Sequence, residues 1–295
     1  MNNKILKLIE NKNLLIKDNQ IFTAIIGSNP SKNARSPILW NKAFNKFNKE
    51  CKMLPLDINE KKLISLLDQL NINQNFLGGS VTIPHKTLVT QWLNGNISSE
   101  AKKIGAVNCL YRSGTGSNSL LGTNTDGEAA ISTFSKKFKD FKSGNILQLG
   151  CGGAGKAVVT FFSKKFEGRN LTILSRNDDD KLLATKLDCN WIFWDDIGNN
   201  LEKFNLIINC TSLGFDVNDK KMPLSTKQFE NLKKNTIFFD IIYNPKQTLL
   251  LEYASKLGHR TFNGLNMNLE QAALAFRYVN TEYKNLNLII EAMNE

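Results

Sequence analysis

The sequence has no C-x-x-C pair. Its five cysteines (Cys51, Cys109, Cys151, Cys189 and Cys210) are scattered and odd in number, which argues against a disulfide framework or a zinc site. They read as reduced and structural. No segment is apolar for long enough to span a bilayer, and Lys4, Lys7, Glu10, Lys12 and Lys17 interrupt the N-terminal stretch, so it has no signal-peptide core. A cytoplasmic protein with no membrane partner is expected. There is no internal repeat or low-complexity tract. Histidine is scarce: His85 reads as a helix-start residue and His259 as a structural one, so no metal site is expected. Acidic residues are few as well, 27 Asp and Glu against 38 Lys and Arg, for a net charge of +11. Such an excess raises the possibility of nucleic-acid binding. The lysines, however, come as dispersed doublets (Lys61-Lys62, Lys102-Lys103, Lys136-Lys137, Lys164-Lys165, Lys220-Lys221, Lys233-Lys234), with no basic stretch interleaved with stacking aromatics. The charge reads as surface lysine usage with some attraction for a phosphate-bearing cofactor and an anionic substrate. No nucleic-acid partner is expected.

The stretch from Gly144 to Arg176 stands out. Asn145 to Leu149 form a short apolar run, and Gly150, Gly152 and Gly155 then fall in G-x-G-x-x-G spacing. Lys156 to Phe162 supply a helical apolar face before a second apolar run at Leu171 to Leu174. This is a strand, glycine turn, helix and strand, in which the first glycine permits the tight turn, the second lets the backbone approach a pyrophosphate, and the third lets helix and strand pack closely. Dinucleotide binding is the favoured reading over an ordinary glycine-rich turn.

At 295 residues the chain is long enough for two domains, each with its own core. Residues 1 to about 20 read as a polar, partly helical lead-in. Phe22 to Gly27, Cys51 to Leu56 and Phe76 to Ile83 read as strands, with helices over Ile38 to Phe47 and Glu60 to Leu70. His85 and Lys86 sit at a helix start after Pro84. Two further strands, within GAVNCLYR and SLLGTNTDG, are joined by a turn at Ser113 to Ser119. A boundary is expected near Asp126, followed by a linking helix. Strands at Trp191 to Trp194, Leu206 to Cys210, Ile237 to Ile242 and Arg260 to Phe262 bring the second domain to the six that a dinucleotide-binding sheet requires. Met267 to Val279 reads as an apolar helix with a polar entry.

Six motifs in order (SVTIPHK at Ser80 to Lys86, GAVN at Gly105 to Asn108, NTDG at Asn124 to Gly127, GCGGAGKA at Gly150 to Ala157, NCTSLG at Asn209 to Gly214 and GLNMNLEQA at Gly264 to Ala272) resemble those of the shikimate dehydrogenase family. The resemblance implies an α/β, two-domain fold: an N-terminal α/β substrate domain completed by the C-terminal helix, residues 1–125 with 264–295, and a Rossmann NADP-binding domain, residues 126–263. It implies reduction of 3-dehydroshikimate with NADPH, a step of chorismate and aromatic amino-acid biosynthesis. Lys86 and Asp126 match the family's catalytic pair. Ser36, Thr82, Asn108, Tyr243 and Gln271 match positions that bind a cyclic hydroxy acid. The implied cofactor set is Gly150, Gly152, Gly153, Ala154, Gly155, Ser175, Arg176, Thr211, Gly264 and Met267. Without the family, Lys86 reads as a surface lysine and Asp126 as an N-cap. Asp240, at a strand end, reads as a packing or turn residue. A monomer or homodimer is expected.

NADP is expected over NAD. The acidic residue that would bind a ribose hydroxyl is replaced by Ser175-Arg176-Asn177, although Asp178, Asp179 and Asp180 follow. The departures lie in the substrate loop. Where the family has Ser-x-Ser-Pro this chain has Ala34-Arg35-Ser36-Pro37, a preceding histidine is Asn33, and the asparagine usual before Val-Thr-Ile-Pro is Ser80. A diverged member acting on quinate or an amino analogue therefore stays open. So does a nucleotide-binding regulatory protein, which the presence of both Lys86 and Asp126 disfavours.

Overall fold

A computed structural model describes residues 2–17, 19–114, 119–198, 201–215 and 221–294. Met1 and Asp18 of the lead-in, residues 115–118 of the expected turn and Lys220 lie outside the described residues. The chain divides into two units, Met1–Thr125 with Leu269–Glu295, and Asp126–Asn268.

The first unit is built on β1 (Phe22–Gly27), β2 (Lys52–Asp57), β3 (Phe76–Val81), β4 (Cys109–Tyr111) and β5 (Leu121–Thr123), in the order β2-β1-β3-β4-β5. The first three strands run parallel, and β4 and β5 return antiparallel. Every residue of β1, an interior strand, is buried, so each face of the sheet must be covered there. Alternation along the strand sends Phe22, Ala24 and Ile26 to one core and Ile25 to another. The first core is closed by α1 (Asn2–Leu8) and α4 (Glu60–Ile72) through Ile5, Leu63, Leu66, Leu67 and Leu70. α2 (Pro30–Asn33) and α3 (Ser36–Lys46) follow β1, while α5 (Lys86–Trp92) and α6 (Ser99–Ile104) lie between β3 and β4. On the other face, Trp40 and Phe44 of α3 meet Phe276, with ring centroids 5.1 and 5.0 Å from it, and Ile289 and Met293 join them. This packing explains why the C-terminal residues belong to the first unit.

The second unit carries β6 (Asn145–Leu149), β7 (Leu171–Ser175), β8 (Asn190–Phe193), β9 (Phe204–Asn209), β10 (Ile237–Asp240) and β11 (Arg260–Asn263). They form one parallel sheet in the order β11-β10-β9-β6-β7-β8. That is the doubly wound dinucleotide-binding order. Its helices are α7 (Asp126–Lys137), α8 (Gly153–Phe166), α9 (Asp179–Lys186), α10 (Thr226–Glu230) and α11 (Leu249–Lys256). One face is covered by phenylalanines: Phe134 of α7 lies 5.4 Å from Phe162 of α8 and 6.1 Å from Phe239 of β10. Leucines, Phe229, Phe238 and Ala254 fill the other. The chain then passes through α12 (Leu265–Val279) to α13 (Leu286–Asn294).

Two boundaries differ from the sequence reading. β10 stops at Asp240 and not at Ile242: the Ile241 N–H makes the last ladder bond, to the Asn209 carbonyl, and the Ile242 N–H turns to the Asp240 carboxylate. The second crossing between units falls after Asn268 and not before Gly264. Gly264 donates its N–H to the Ile242 carbonyl at 2.9 Å, which ties the start of α12 to the end of β10.

Candidate functional site

In the second unit β6 delivers the chain into the glycine turn. Gly150 has φ +88°, a conformation side chains rarely adopt, and its N–H donates to the Leu174 carbonyl at 2.8 Å. A methyl group on Gly155 would stand 2.7 Å from the Gly150 carbonyl oxygen, so helix and turn are already in contact. Gln148, fully buried, donates through Nε2 to both the Gly150 and Gly155 carbonyls at 3.0 Å and holds the turn from below. Gly152 is different. It is exposed, it N-caps α8 without a side-chain bond, and nothing lies within 4 Å of where its Cβ would be. The backbone there is open to a ligand, with Gly153 and Ala154 starting a fourteen-residue helix behind it whose N–H groups and dipole favour an anion. This cradle fits a dinucleotide pyrophosphate. Burial pushes the neighbouring Cys151 thiol up to about 12, and the Asp180 carboxylate adds to the effect, so Cys151 is no thiolate nucleophile.

Ser175 ends β7, buried, and accepts from Trp191 Nε1 at 3.0 Å. Arg176 follows it, exposed. The three aspartates after it do not act alike. Asp180 is turned inward, 3 % exposed, with Oδ1 3.7 Å from Lys156 Nζ, whereas Asp178 and Asp179 are exposed at the start of α9, where the helix dipole favours negative charge. Their placement has a local helical cause. Thr211 donates its N–H and hydroxyl to Asn209 Oδ1 at 3.0 and 2.7 Å. Tyr243, half-buried, stands edge-on to Phe215 at 6.4 Å, and Met267 is buried in the first turn of α12.

In the first unit, Thr82 follows β3 and is fixed by its N–H on the Ile26 carbonyl at 2.9 Å. Lys86, half-buried, is the first residue of α5. Its carbonyl accepts from the Val107 N–H at 3.2 Å and the Thr90 hydroxyl at 2.7 Å, so the lysine's backbone is tied to the segment that carries Asn108. His85 N-caps α5 from a buried position, with Nε2 3.1 Å from the Ile58 carbonyl, consistent with a helix-start residue. Asn108 is the hub. Its Nδ2 donates to Thr125 Oγ1 at 3.1 Å and lies 3.5 Å from Gln271 Oε1, its Oδ1 accepts from the Thr125 N–H at 2.9 Å, and the Thr125 hydroxyl reaches the Gln271 carbonyl at 3.1 Å. Asn108 and Gln271, 163 residues apart, thus share one polar cluster. Ser36 is buried at the start of α3, and Asp126, also buried, opens α7 directly after Thr125.

Sequence reasoning missed Gln148, Asn209 and Thr125 as supporting residues. The signal for Thr125 and Asn209 was present, since both lie in the quoted NTDG and NCTSLG motifs. Gln148 gave none, being one polar residue in an apolar strand. Among the described residues no group of three His, Cys, Asp or Glu could hold a metal ion, and no helix is long and apolar enough to cross a membrane.

Residues 25–110 match the family model of the shikimate dehydrogenase substrate binding domain. The NADP(+) shikimate dehydrogenase of Methanococcus vannielii is 32% identical over 275 residues, covering 89% of this chain and 92% of the relative. That of Methanococcus aeolicus is 31% identical over 291 residues, covering 95% and 99%. A crystal structure of a shikimate dehydrogenase in complex with NADP+ matches with a TM-score of 0.80 at 28% identity, over 95% of this chain and 96% of that one.

Proposed function

The chain belongs to the shikimate dehydrogenase family, and we propose that it is an NADP-dependent oxidoreductase interconverting 3-dehydroshikimate and shikimate. The observation that carries this reading is the match to NADP-dependent relatives across nearly the whole length of both partners. The biosynthetic role of that activity, towards chorismate and the aromatic amino acids, and a cytoplasmic location go with it. The partners proposed are a small cyclic hydroxy acid and the cofactor, with no nucleic acid, no membrane, and a monomer or homodimer.

Bound NADPH would supply the hydride. The glycine cradle, Ser175, Arg176, Thr211, Gly264 and Met267 would hold and orient it. Ser36, Thr82, Asn108, Tyr243 and Gln271 match the family positions that hold the acid through its hydroxyls and carboxylate. Ketone reduction also needs a proton at the developing alkoxide, and we assign its delivery to Lys86 with Asp126 as its carboxylate partner. The residues 126–268 would form the cofactor domain and the remainder the substrate domain.

Arg176 is the proposed partner of the 2′-phosphate, by a charge-assisted contact. With Asp180 turned inward, two exposed aspartates and not three stand beside it. Arg176→Ala should raise KM for NADPH much more than for NADH. Equal effects on the two cofactors would reject the assignment.

A second reading, quinate or an amino analogue as substrate, is favoured by one observation: Ala34 carries the chain in extended conformation between α2 and α3 with a methyl group where the family places a hydroxyl. A hydrogen bond to a charged group is worth about 1.5 to 3 kcal/mol, roughly a ten- to hundredfold change in affinity. Shikimate should therefore bind weakly to moderately with the chemistry intact, and Ala34→Ser should lower KM for shikimate with little change in kcat. An unchanged KM would mean that a neighbour such as Arg35 or Asn33 already supplies the contact. The test of the whole assignment is a spectrophotometric screen of shikimate, quinate and related acids with NADP and NAD. Turnover of another acid with none of shikimate, by both the parent and Ala34→Ser, would sink the shikimate reading and leave the diverged one.

A further inference from the structure

One buried carboxylate lies at the meeting point of three chain segments of the second unit. Asp240, the last residue of β10, is 0% exposed. Its Oδ1 accepts from Asn209 Nδ2 and from the Ile242 N–H, both at 3.1 Å, and its Oδ2 accepts from the Thr248 hydroxyl at 2.7 Å. Asn209 lies directly across from it in the pairing of β9 with β10.

The consequences run outward. With its amide NH2 committed to Asp240, Asn209 presents Oδ1 to the N–H and hydroxyl of Thr211, whose hydroxyl oxygen in turn accepts from the Leu213 N–H at 3.2 Å. Ile242, anchored on the carboxylate, offers its carbonyl to the Gly264 N–H at 2.9 Å, and the Gly264 carbonyl accepts from the Asn268 N–H at 2.8 Å in the opening turn of α12. Gly264 admits no side chain, since a Cβ there would stand 1.9 Å from the Ile241 carbonyl oxygen. Tyr243 comes three residues after Asp240 on the same anchored segment.

All three bonds arrive at Asp240 from donors, so the position calls for a group that only accepts. An ionised carboxylate is such a group, while an asparagine amide would set its NH2 against one of the donors. A well-packed core would be served by an apolar residue, yet burial here disfavours the charged form strongly enough to push the carboxyl up to about 6, against the pull of Thr248, Ile242 and Asn209. A carboxylate kept under that penalty at the C-terminal end of a Rossmann strand is the kind of local conflict that functional sites retain.

We propose that Asp240 is a positioning residue that sets Thr211, the Tyr243 segment and the Gly264–Met267 entry of α12 in register for the bound cofactor. The inference rests on the reading of this unit as the NADP-binding one. It separates Asp240 from a residue that merely packs a turn, because packing alone would move stability and leave cofactor affinity in place.

The test uses the full chain and three variants, Asp240→Asn, Thr211→Val and their combination, with NADPH affinity read from nicotinamide fluorescence and folding from thermal melts. Asp240→Asn should melt within a few degrees of the parent while its NADPH Kd rises about tenfold or more, and kcat at saturating cofactor should fall much less. Thr211→Val should also weaken NADPH, and the double variant should be little worse than Asp240→Asn alone, since Thr211 hangs on one of the hydrogen-bonded chains that start at Asp240. Parental NADPH affinity in Asp240→Asn, or full additivity in the double variant, would overturn the proposal. Should Asp240→Asn not fold, Asn209→Ser keeps the carboxylate with its Ile242 and Thr248 donors and removes the amide that joins it to Thr211. The same rise in Kd supports the proposal and a parental Kd overturns it. A parent chain that itself binds no NADPH would refute the cofactor reading beneath it, an outcome distinct from normal binding in all variants.

Discussion

Replacing Lys86 with alanine should lower kcat by roughly two to four orders of magnitude, the usual range for a positioned acid or base, and leave NADPH binding in place. The residues proposed to bind NADPH lie in residues 126–268, whereas Lys86 starts α5 of the first unit, with its carbonyl fixed by Val107 and Thr90. Those backbone bonds do not depend on the side chain, so Lys86→Ala should fold and keep Asn108 where it is. Asp126→Asn should show a loss of similar size. The double variant should be little worse than the singles, because two residues that serve one proton transfer cannot each be lost in full. Near-normal kcat in Lys86→Ala would show that the proton comes from elsewhere.

Two alanine substitutions in the glycine turn should fail in opposite ways. At Gly155 the new methyl group would meet the Gly150 carbonyl oxygen at 2.7 Å and the Gln148 amide and Cys210 Cβ at 3.3 Å, so the turn must shift. Overpacking of this kind costs about 1–3 kcal/mol. Gly155→Ala should therefore lose stability and NADPH affinity together. Gly152→Ala meets nothing within 4 Å, and its φ of −69° is open to alanine, so stability should stay within about 1 kcal/mol of the parent, the scale of a lost helix cap. Its NADPH Kd should nonetheless rise by roughly ten- to a hundredfold, or about 1.4 to 2.7 kcal/mol, because the methyl group would occupy the approach of the pyrophosphate. Unchanged NADPH affinity in Gly152→Ala, measured beside an unchanged melting temperature, would remove the cradle from the cofactor site.

The glycine turn and the sheet around it were legible because they rest on local signals. A glycine with positive φ at the end of an apolar run, and a helical apolar face after it, are both written within some thirty residues. What pairs across the sheet is not. Asn209 and Asp240 are 31 residues apart and meet only through the register of β9 with β10, which no local pattern records, so Asp240 read as a turn residue. Asn108 and Thr125 are likewise brought together by the antiparallel return of β4 on β5, and the sequence offered no sign that Thr125 is the partner of Asn108. In the sequence, Asp178 to Asp180 stand as three charges able to repel a phosphate held by Arg176. Helical geometry at α9 turns the third inward to Lys156, a distinction that depends on where the helix begins. The helix α13 went unread, although Ile289, Ala292 and Met293 help to close the first unit's second core.

The most direct measurement of the central claim is the appearance of reduced nicotinamide absorbance when shikimate is added to the purified full chain with NADP, run beside Lys86→Ala. The account predicts shikimate-dependent reduction of NADP, slower with NAD, and falling by at least about a hundredfold in the variant. Absence of NADP reduction with shikimate, or equal rates in the parent and Lys86→Ala, would contradict it.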